Sequence, residues 1–346
     1  MKRVTPFLAF CLAALSGQLV AQSPPLKLPE ASPRATASQT VGLTDISVTY
    51  NRPAVNKRKV WGGLVPYGEV WRAGANENTV LSFSTPVSVG GVKLAAGKYG
   101  LHMIPTASEW TVILSSESHA WGSFSYDAKE DVARVKVTPE PAEPTERLAY
   151  TFDDPGADTV TVSLRWEKLR VPFKVEVDTK QRIVESLREQ LRGLPRFFWD
   201  GWSQAAGWCV RSDVNLDEAL VWVDRSISMK ETYPNLRIKA AILEKKGDAK
   251  GAEALRAKAL PLATEADVNA LGYGLLAQGK TDDALAMFLK NVKQYPGSWN
   301  AYDSLAEGYA AKGEKAQALA NYQKAHDMVK AEDQKKRIQV EMAKLR

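Results

Sequence analysis

The spacing of apolar residues along the chain changes near Asp178. Before this point apolar and polar residues alternate in short runs, as in residues 46–50, which is the period expected of strands with one buried face. After it, apolar residues recur every three or four positions, the period of helices with one buried face. The pattern therefore predicts a strand-rich half followed by a helical half.

The strand-rich half covers residues 38–178 and contains about nine or ten short alternating runs separated by Gly, Pro and Asp. Gly90-Gly91 stands between two such runs and predicts a two-residue hairpin turn. No helix-length pattern interrupts the runs. We therefore expect an all-β sandwich, with a jelly-roll-like topology as one arrangement of its strands.

The helical half, residues 179–346, contains an internal repeat of 34 residues. Residues 271–298 align with residues 305–332, and the matching positions include Leu271 with Leu305, Gly279 with Gly313, Ala284 with Ala318, and Phe288 with Tyr322. This is the period of tetratricopeptide repeats, which are pairs of antiparallel helices. The small residues allow the two helices to approach closely, and the aromatic residues fill the space between neighbouring pairs.

Three further segments extend this array. Residues 200–233 form a weaker copy, and residues 235–264 form a shortened hairpin with its turn at Gly247-Asp248. A leading amphipathic helix is predicted over 180–194, and a charged terminal helix over 333–346. The pattern thus predicts about four helical pairs.

The first residues have the order of charge, apolar run and small residues that is typical of a secretory signal peptide. Lys2 and Arg3 precede an apolar run over 6–15, and cleavage is predicted near Ala21. The run is too short to span a membrane. We therefore expect an exported protein, periplasmic or secreted, with a signal peptide over 1–21 and a proline-bearing linker over 22–37.

Composition and charge narrow the class of partner. The chain is 45% hydrophobic and 25% charged, with a formal net charge of +6, which is ordinary for a globular protein. No basic cluster is interleaved with aromatic residues, so a nucleic-acid partner is not predicted. Cleavage removes Cys11 and leaves Cys209 alone, which excludes an internal disulfide. Its apolar helical context predicts a buried, inert thiol.

The β half resembles an exported bacterial family known as domain of unknown function 2911 over about residues 31–178. The resemblance is carried by local strings, which are ASPRA at 31–35, GGLVPYG at 62–68, VWRAGANE at 70–77, AGKYGL at 96–101, EWTVI at 109–113, WG at 121–122, WEK at 166–168 and VPF at 171–173. It implies an exported bacterial protein with a β fold, and it implies no activity. The similarity to tetratricopeptide repeats over about 200–332 implies a binding scaffold.

The segment 71–77 is the main candidate ligand site of the β half. Trp71, Arg72, Asn76 and Glu77 place an aromatic ring, a guanidinium, an amide and a carboxylate around Gly74 in a loop. The alternative is structural: Arg72 pairs with a local carboxylate, and Asn76 bonds the backbone of a turn.

His102 and Trp121 complete the set of candidate ligand residues. His102 lies in a strand pattern on the face of Gly100 and opposite Leu101. Trp71 and Trp121 are flanked by glycine-containing loops and are expected at the surface. The chain has three histidines, none at metal-ligand spacing, and no Gly-x-Ser-x-Gly elbow. Neither a metal, a cofactor nor a catalytic residue is therefore predicted.

Two functional hypotheses follow. The leading one is a non-enzymatic interaction protein of the cell envelope, whose helical array binds a protein or peptide near Asn269, Gln278 and Asn300, while the β domain binds an unknown ligand. The alternative is a β domain that binds a carbohydrate or another small envelope ligand at a site containing Trp71, Arg72 and the residues around them. A glycan-acting hydrolase at the same site is a less favoured form of this alternative.

Overall fold

A computed structural model describes residues 28–346, which form two compact units divided between Val177 and Asp178. The division lies one residue before the boundary predicted from the change of period. The predicted signal peptide and the first part of the predicted linker lie outside the described residues. No helix among residues 28–346 is both long and apolar enough to cross a bilayer.

The first unit is built from antiparallel strands in two sheets. The strands are β1 Arg34–Val41, β2 Thr44–Asn51, β3 Val80–Phe83, β4 Val87–Val89, β5 Val92–Leu94, β6 Gly97–Ile104, β7 Trp110–Ser115, β8 Asp131–Val137, β9 Glu140–Asp153 and β10 Thr159–Glu176. One sheet has the order β1-β2-β3-β6-β7-β8, and the other has the order β5-β4-β10-β9. The predicted all-β sandwich is confirmed.

The core of this unit lies between the two sheets and takes side chains from both. Leu81 and Trp110 of one sheet and Trp166 of the other are fully buried in a single apolar cluster. Gly90 and Gly91 form the predicted turn between β4 and β5, and both have positive φ, 57° and 82°, as a tight hairpin turn requires.

Strand β1 begins at Arg34 and therefore overlaps the last residues of the segment 22–37 that the prolines assign to a linker. Each residue of β1, from Arg34 to Val41, pairs with a residue of β2. The sequence does not indicate this strand clearly, because its outward positions are polar and an edge strand with one solvated face needs few apolar residues.

The second unit consists of helices. They are α1 Thr179–Gln190, α2 Trp199–Ser212, α3 Leu216–Met229, α4 Tyr233–Lys245, α5 Ala249–Ala259, α6 Glu265–Ala277, α7 Thr281–Gln294, α8 Trp299–Lys312, α9 Lys315–Met328 and α10 Glu332–Leu345. Four hairpins, α2/α3, α4/α5, α6/α7 and α8/α9, are flanked in sequence by α1 and α10. This confirms the predicted tetratricopeptide-like array.

The leading helix is shorter than the predicted span of 180–194, because α1 ends at Gln190. The chain leaves helical backbone at Gly193, whose φ of −89° and ψ of −150° are extended, and Leu194 then begins a separate 3-10 turn that ends at Phe197. Leu194, expected on the buried side of the helix, is 72% exposed.

Candidate functional site

Residues 116–127, here called the cover loop, follow β7 and lie over the outer face of the six-stranded sheet. Gly100 in β6 allows this contact. A Cβ at Gly100 would come within 2.3 Å of the Glu117 carbonyl oxygen and 2.8 Å of Asn78 Nδ2. The absence of a side chain therefore lets the cover loop and Asn78 reach the sheet.

His102 lies on the same outer face as Gly100 and is buried beneath the cover loop. Its Nδ1 is 2.8 Å from Ser123 Oγ, and its ring lies 5.3 Å from that of Tyr126. Burial lowers the pKa of His102 to about 4, although the carboxylate of Asp131 acts in the opposite direction. The imidazole is therefore neutral at neutral pH.

The contact between His102 and Ser123 does not form a catalytic triad within residues 28–346. A nucleophilic serine needs an imidazole base that an acid orients through its other nitrogen. Among residues 28–346, no carboxylate forms a hydrogen bond with Nε2 of His102, and the hydrogen bond of its ring is the one from Nδ1 to Ser123. A base whose pKa lies near 4 also accepts a proton poorly at neutral pH.

Arg72 lies against two exposed aromatic rings of the cover loop. Its guanidinium carbon is 5.8 Å from the centroid of Trp121 and 5.7 Å from that of Phe124. The two rings stack on each other and are 61% and 80% exposed. Burial lowers the pKa of Arg72, and its Nε atom has no hydrogen-bond partner in the described part of the chain. Trp121 thus lies at the surface, where the sequence predicts it.

Trp71 belongs to the edge of the apolar core and is not a surface platform. Its backbone pairs with Met103, so its side chain points to the inner face as that of Met103 does. The ring stacks on Trp166 at 6.0 Å, and its Nε1 donates to the Gly74 carbonyl oxygen at 3.1 Å. The sequence does not reveal this pairing, because the bridge lies outside any regular strand.

Asn76 has the structural role given above as the alternative to ligand binding, which is to hydrogen-bond the backbone. Its φ is 57°, and its Nδ2 donates to Glu30 Oε2 at 2.9 Å and to the Ser32 carbonyl oxygen at 3.3 Å. Glu77 lines a cavity on the outer face of the sheet. The candidate residues therefore do not converge on one cleft.

The cavity beside Glu77, here called the outer cavity, has a volume of about 290 Å³. Eight of its ten lining residues are polar or charged, and the charges are of both signs. The lining residues are Arg34, Thr49, Glu77, Asn78, Val80, Ser82, Lys98, Ser118, His119 and Ala120.

Among these residues, only Glu77 is a candidate from the sequence. The outward positions of Ser82 and Lys98 follow from their alternation with Leu81 and Tyr99 and were open to detection. The sequence does not indicate the contributions of Asn78 and Ser118, because Asn78 stands before the start of β3 and Ser118 reaches the sheet only through the folded cover loop. Residues 28–346 contain no group of three or more His, Cys, Asp or Glu side chains able to hold a metal ion.

In the helical array, the first helices of successive pairs present a polar surface, here called the first-helix face. Asn269 in α6, Asp303 in α8 and Arg337 in α10 are spaced by 34 residues and occupy equivalent positions. Arg337 forms ion pairs with Asp303 and, at 3.5 Å, with Glu307. Burial raises the pKa of Asp303, and the Arg337 charge opposes this rise.

Two acceptors on this face have no partner among residues 28–346, namely the buried Oδ1 atoms of Asn269 and Asp303. Tyr273 links neighbouring first helices, because its hydroxyl lies 3.1 Å from Ser304 Oγ and donates to Glu307 Oε2 at 2.8 Å. The face is therefore held by hydrogen bonds between repeats, and it keeps unused acceptors.

The three residues predicted to contact a partner differ in position. Asn269 and Asn300 are half-buried in the first helices α6 and α8. Gln278 is exposed at the end of α6, where its Nε2 donates to the Gly274 carbonyl oxygen at 3.0 Å. Gln278 thus contacts its own helix end.

The first hairpin of the array has two apolar cavities that share Gln204. The first, of about 440 Å³, is lined by Ile183, Leu187, Ser203, Gln204, Gly207, Trp208, Arg211, Pro234 and Ile238. The second, of about 410 Å³, is lined by Leu194, Pro195, Phe198, Asp200, Gly201 and Gln204. Leu194, Phe197 and Phe198 are all more than half exposed beside them. Exposed apolar side chains in such a cluster are typical of contact surfaces.

Residues 32–175 match the family described as "Protein of unknown function (DUF2911)". The match covers the β unit and confirms the resemblance that the local strings indicated. The family description assigns no activity to this unit. No curated protein matches the chain at a significant level.

The solved structures similar to this chain include repeat proteins of low sequence identity. The PilF protein of Pseudomonas aeruginosa is 18% identical and has a TM-score of 0.30, with 42% of this chain and 67% of that chain covered. MamA of Desulfovibrio magneticus is 19% identical with a TM-score of 0.30, over 42% and 82% of the two chains. YrrB, described as a TPR protein with an unusual peptide-binding site, is 22% identical with a TM-score of 0.26, over 43% and 77%. The tetratricopeptide assignment itself rests on the 34-residue repeat and the four helical hairpins.

Proposed function

We propose that this chain is a non-enzymatic interaction protein whose helical array binds an extended peptide or partner segment on its first-helix face. The observation that carries the proposal is the pair of buried, unpartnered oxygens of Asn269 and Asp303 at equivalent positions of successive repeats. A buried acceptor without a partner costs about 1–3 kcal/mol. An extended segment on this face would contact the half-buried Asn269 directly, whereas Asp303, 4% exposed, lies beneath the surface in its ion pair with Arg337.

The apolar cavities at the first hairpin supply the second element of recognition. Trp208 and Ile238 line one of them, and Phe198 lines the other. A large apolar side chain of the partner would fill such a cavity, and its burial contributes about 1.5–3 kcal/mol. The partner is therefore a segment with a large apolar anchor followed by residues that donate hydrogen bonds.

Selection from a displayed peptide library on the full chain tests this proposal, with affinities then measured by fluorescence anisotropy. We expect selected peptides to share an aromatic or large aliphatic residue. We expect Trp208→Ala and Asn269→Leu each to weaken binding by about tenfold, which corresponds to about 1.4 kcal/mol. Leu289→Ala is the matched control, because Leu289 is 47% exposed on the second helix α7.

Circular dichroism shows whether each variant keeps the helical content of the parent chain. Failure to select any peptide, or binding by folded Trp208→Ala and Asn269→Leu with the affinity of the parent chain, would contradict the proposal.

The carbohydrate-binding alternative loses its main support, because Trp71 packs against Trp166 and its N–H is already bonded.

We propose that the protein is exported to the cell envelope, as a periplasmic or secreted protein. This proposal rests on the charge, apolar run and small residues over 1–21, a pattern typical of signal peptides. Sequencing the N-terminus of the chain purified from its native host tests it. We expect the mature chain to begin near Gln22, and recovery of a chain that still begins at Met1 or Lys2 would contradict export by cleavage.

A further inference from the structure

The outer cavity contains two buried oxygens that lack hydrogen-bond partners within residues 28–346, Glu77 Oε2 and Asn78 Oδ1. Asn78 is 5% exposed. Its Nδ2 donates to the Glu117 carbonyl oxygen at 3.4 Å, which fixes the orientation of the amide because a carbonyl oxygen can only accept. The Oδ1 atom is therefore an unpartnered acceptor on a residue that lines the cavity. Together with Glu77 it makes one side of the cavity a site for N–H groups.

The other charges of the cavity are positive. Lys98 in β6 and Arg34 at the start of β1 both line it, and neither forms an ion pair with any described residue. Lys98 pairs across the strands with Ser82, so its stem rises from the same outer face. By the strand register, Arg34 lies level with Asn51, two residues beyond the Thr49–Val80 pair, whereas Lys98 lies level with Ser82 at the other end of the floor. The Lys98 ammonium therefore attracts a carboxylate at its own end of the cavity.

The size of the cavity limits the ligand. Its floor runs from Thr49 in β2 through Ser82 in β3 to Lys98 in β6. Two strand spacings separate the first from the last, which is about 10 Å. A volume of about 290 Å³ lies just below the range of about 300–1,000 Å³ that is usual for small-molecule sites. The ligand is thus of the size of an amino acid or a dipeptide.

We propose that the outer cavity binds a small zwitterion, a free amino acid or a dipeptide. Its ammonium group lies at the end of the cavity lined by Glu77 and Asn78, and its carboxylate lies against Lys98. The hydroxyls of Thr49, Ser82 and Ser118 line the space between and bond its polar atoms. A simple anion would be repelled by the Glu77 carboxylate, and a neutral polyol would leave the charges of both sides unpaired.

Thermal-shift screening of the full chain against the amino acids and L-alanyl-L-alanine, followed by isothermal titration calorimetry, tests the proposal. For the best ligand, we expect loss of either charge to weaken binding at least tenfold. N-acetylation removes the ammonium, and amidation removes the carboxylate. The proposal is overturned if no amino acid or dipeptide binds at about 10 mM. It is also overturned if the N-acetylated ligand or glucose binds equally well.

Two isosteric or near-isosteric variants assign the site. Glu77→Gln removes the negative charge and keeps the volume, and Lys98→Gln removes an exposed positive charge. We expect each variant to weaken binding of the zwitterion at least tenfold. The matched controls are Glu69→Gln and Lys93→Gln, which alter exposed charges outside the cavity lining and should bind like the parent chain. Unchanged affinity in Glu77→Gln, with the melting temperature preserved, would place the binding elsewhere and refute the assignment.

Discussion

The ring of Phe288 occupies the space that a side chain at Gly272 would need. A Cβ at Gly272 would come within 2.4 Å of a ring carbon of Phe288. Phe288 is fully buried in α7 and also lies against Gly308 of the next hairpin, where a Cβ would approach to 2.9 Å. One aromatic ring therefore joins two successive hairpins, as its place in the repeat predicted.

Replacing Gly272 by alanine should destabilise the helical array. The added methyl group must displace a fully buried ring, and overpacking of this kind costs about 1–3 kcal/mol. This loss exceeds the gain of about 0.5–1 kcal/mol expected when a glycine inside a helix is replaced by alanine. Urea denaturation followed by circular dichroism at 222 nm should show a lower midpoint for Gly272→Ala.

Gly274→Ala is the matched control for this variant. Gly274 lies in the same helix two residues later, and a Cβ there would meet nothing within 4 Å. We expect this change to raise the midpoint, because only the helix-propensity gain applies. A Gly272→Ala protein as stable as Gly274→Ala would show that the ring moves aside at little cost.

Asn235 should be essential to the junction between α3 and α4. It is fully buried, its Nδ2 donates to Ser226 Oγ at 3.0 Å and to the Lys230 carbonyl oxygen at 2.8 Å, and its Oδ1 accepts from the Thr232 N–H at 2.9 Å. Asn235→Ala leaves several buried groups unpaired and should cost about 3 kcal/mol. Gln278→Ala removes an exposed hydrogen bond and should change stability by less than about 0.5 kcal/mol. Equal stability of the two variants would contradict the role of Asn235.

The β unit should lose stability as the pH falls through the range in which His102 titrates. The folded pKa of about 4 lies below the ordinary value of 6.5, because burial disfavours the charged form. The unfolded chain therefore binds the proton first, and the stabilising contribution is complete above pH 6.5 and declines toward pH 4. Its full size is about 3 kcal/mol.

His102→Gln removes this titration and keeps a side chain able to hydrogen-bond Ser123. Denaturation midpoints of the full chain, measured by tryptophan fluorescence between pH 4.5 and 7.5, should fall more steeply for the parent chain than for the variant, because the two proteins differ only at His102. Parallel pH profiles would show that His102 does not contribute to the acid sensitivity.

Cys209 should be unreactive in the folded protein. The side chain is fully buried in α2, and burial raises the pKa of its thiol to about 11. Since the thiolate is the nucleophile, alkylation by iodoacetamide at pH 8 should be very slow. A Cys11→Ser variant confines the readout to Cys209, and addition of guanidinium chloride should restore rapid labelling. Fast labelling of the native variant would contradict burial.

Much of the architecture follows from local patterns in the sequence. Alternation over residues 46–50 predicts strand β2, and the Gly90-Gly91 turn predicts the hairpin β4/β5. The 34-residue offset that relates Phe288 to Tyr322 predicts the repeat. These patterns are legible because each depends on the periodicity of a strand or a helix, which neighbouring residues impose. Edge strand β1 and the early end of α1 are harder to predict, since a solvated strand face carries few apolar residues and the extended backbone at Gly193 leaves no periodic signal.

The candidate site depends on contacts between distant segments, and the sequence alone did not determine it. The sequence indicates Glu77 and His102 as functional candidates, and the alternation along β6 predicts that His102 shares a face with Gly100. Only the folded cover loop decided that Asn78 meets Glu117 above Gly100, and only the bridge to Met103 turned Trp71 into the core. Periodicity specifies which face of its own strand a side chain takes, whereas the segment that covers this face is chosen by packing between residues far apart in the chain.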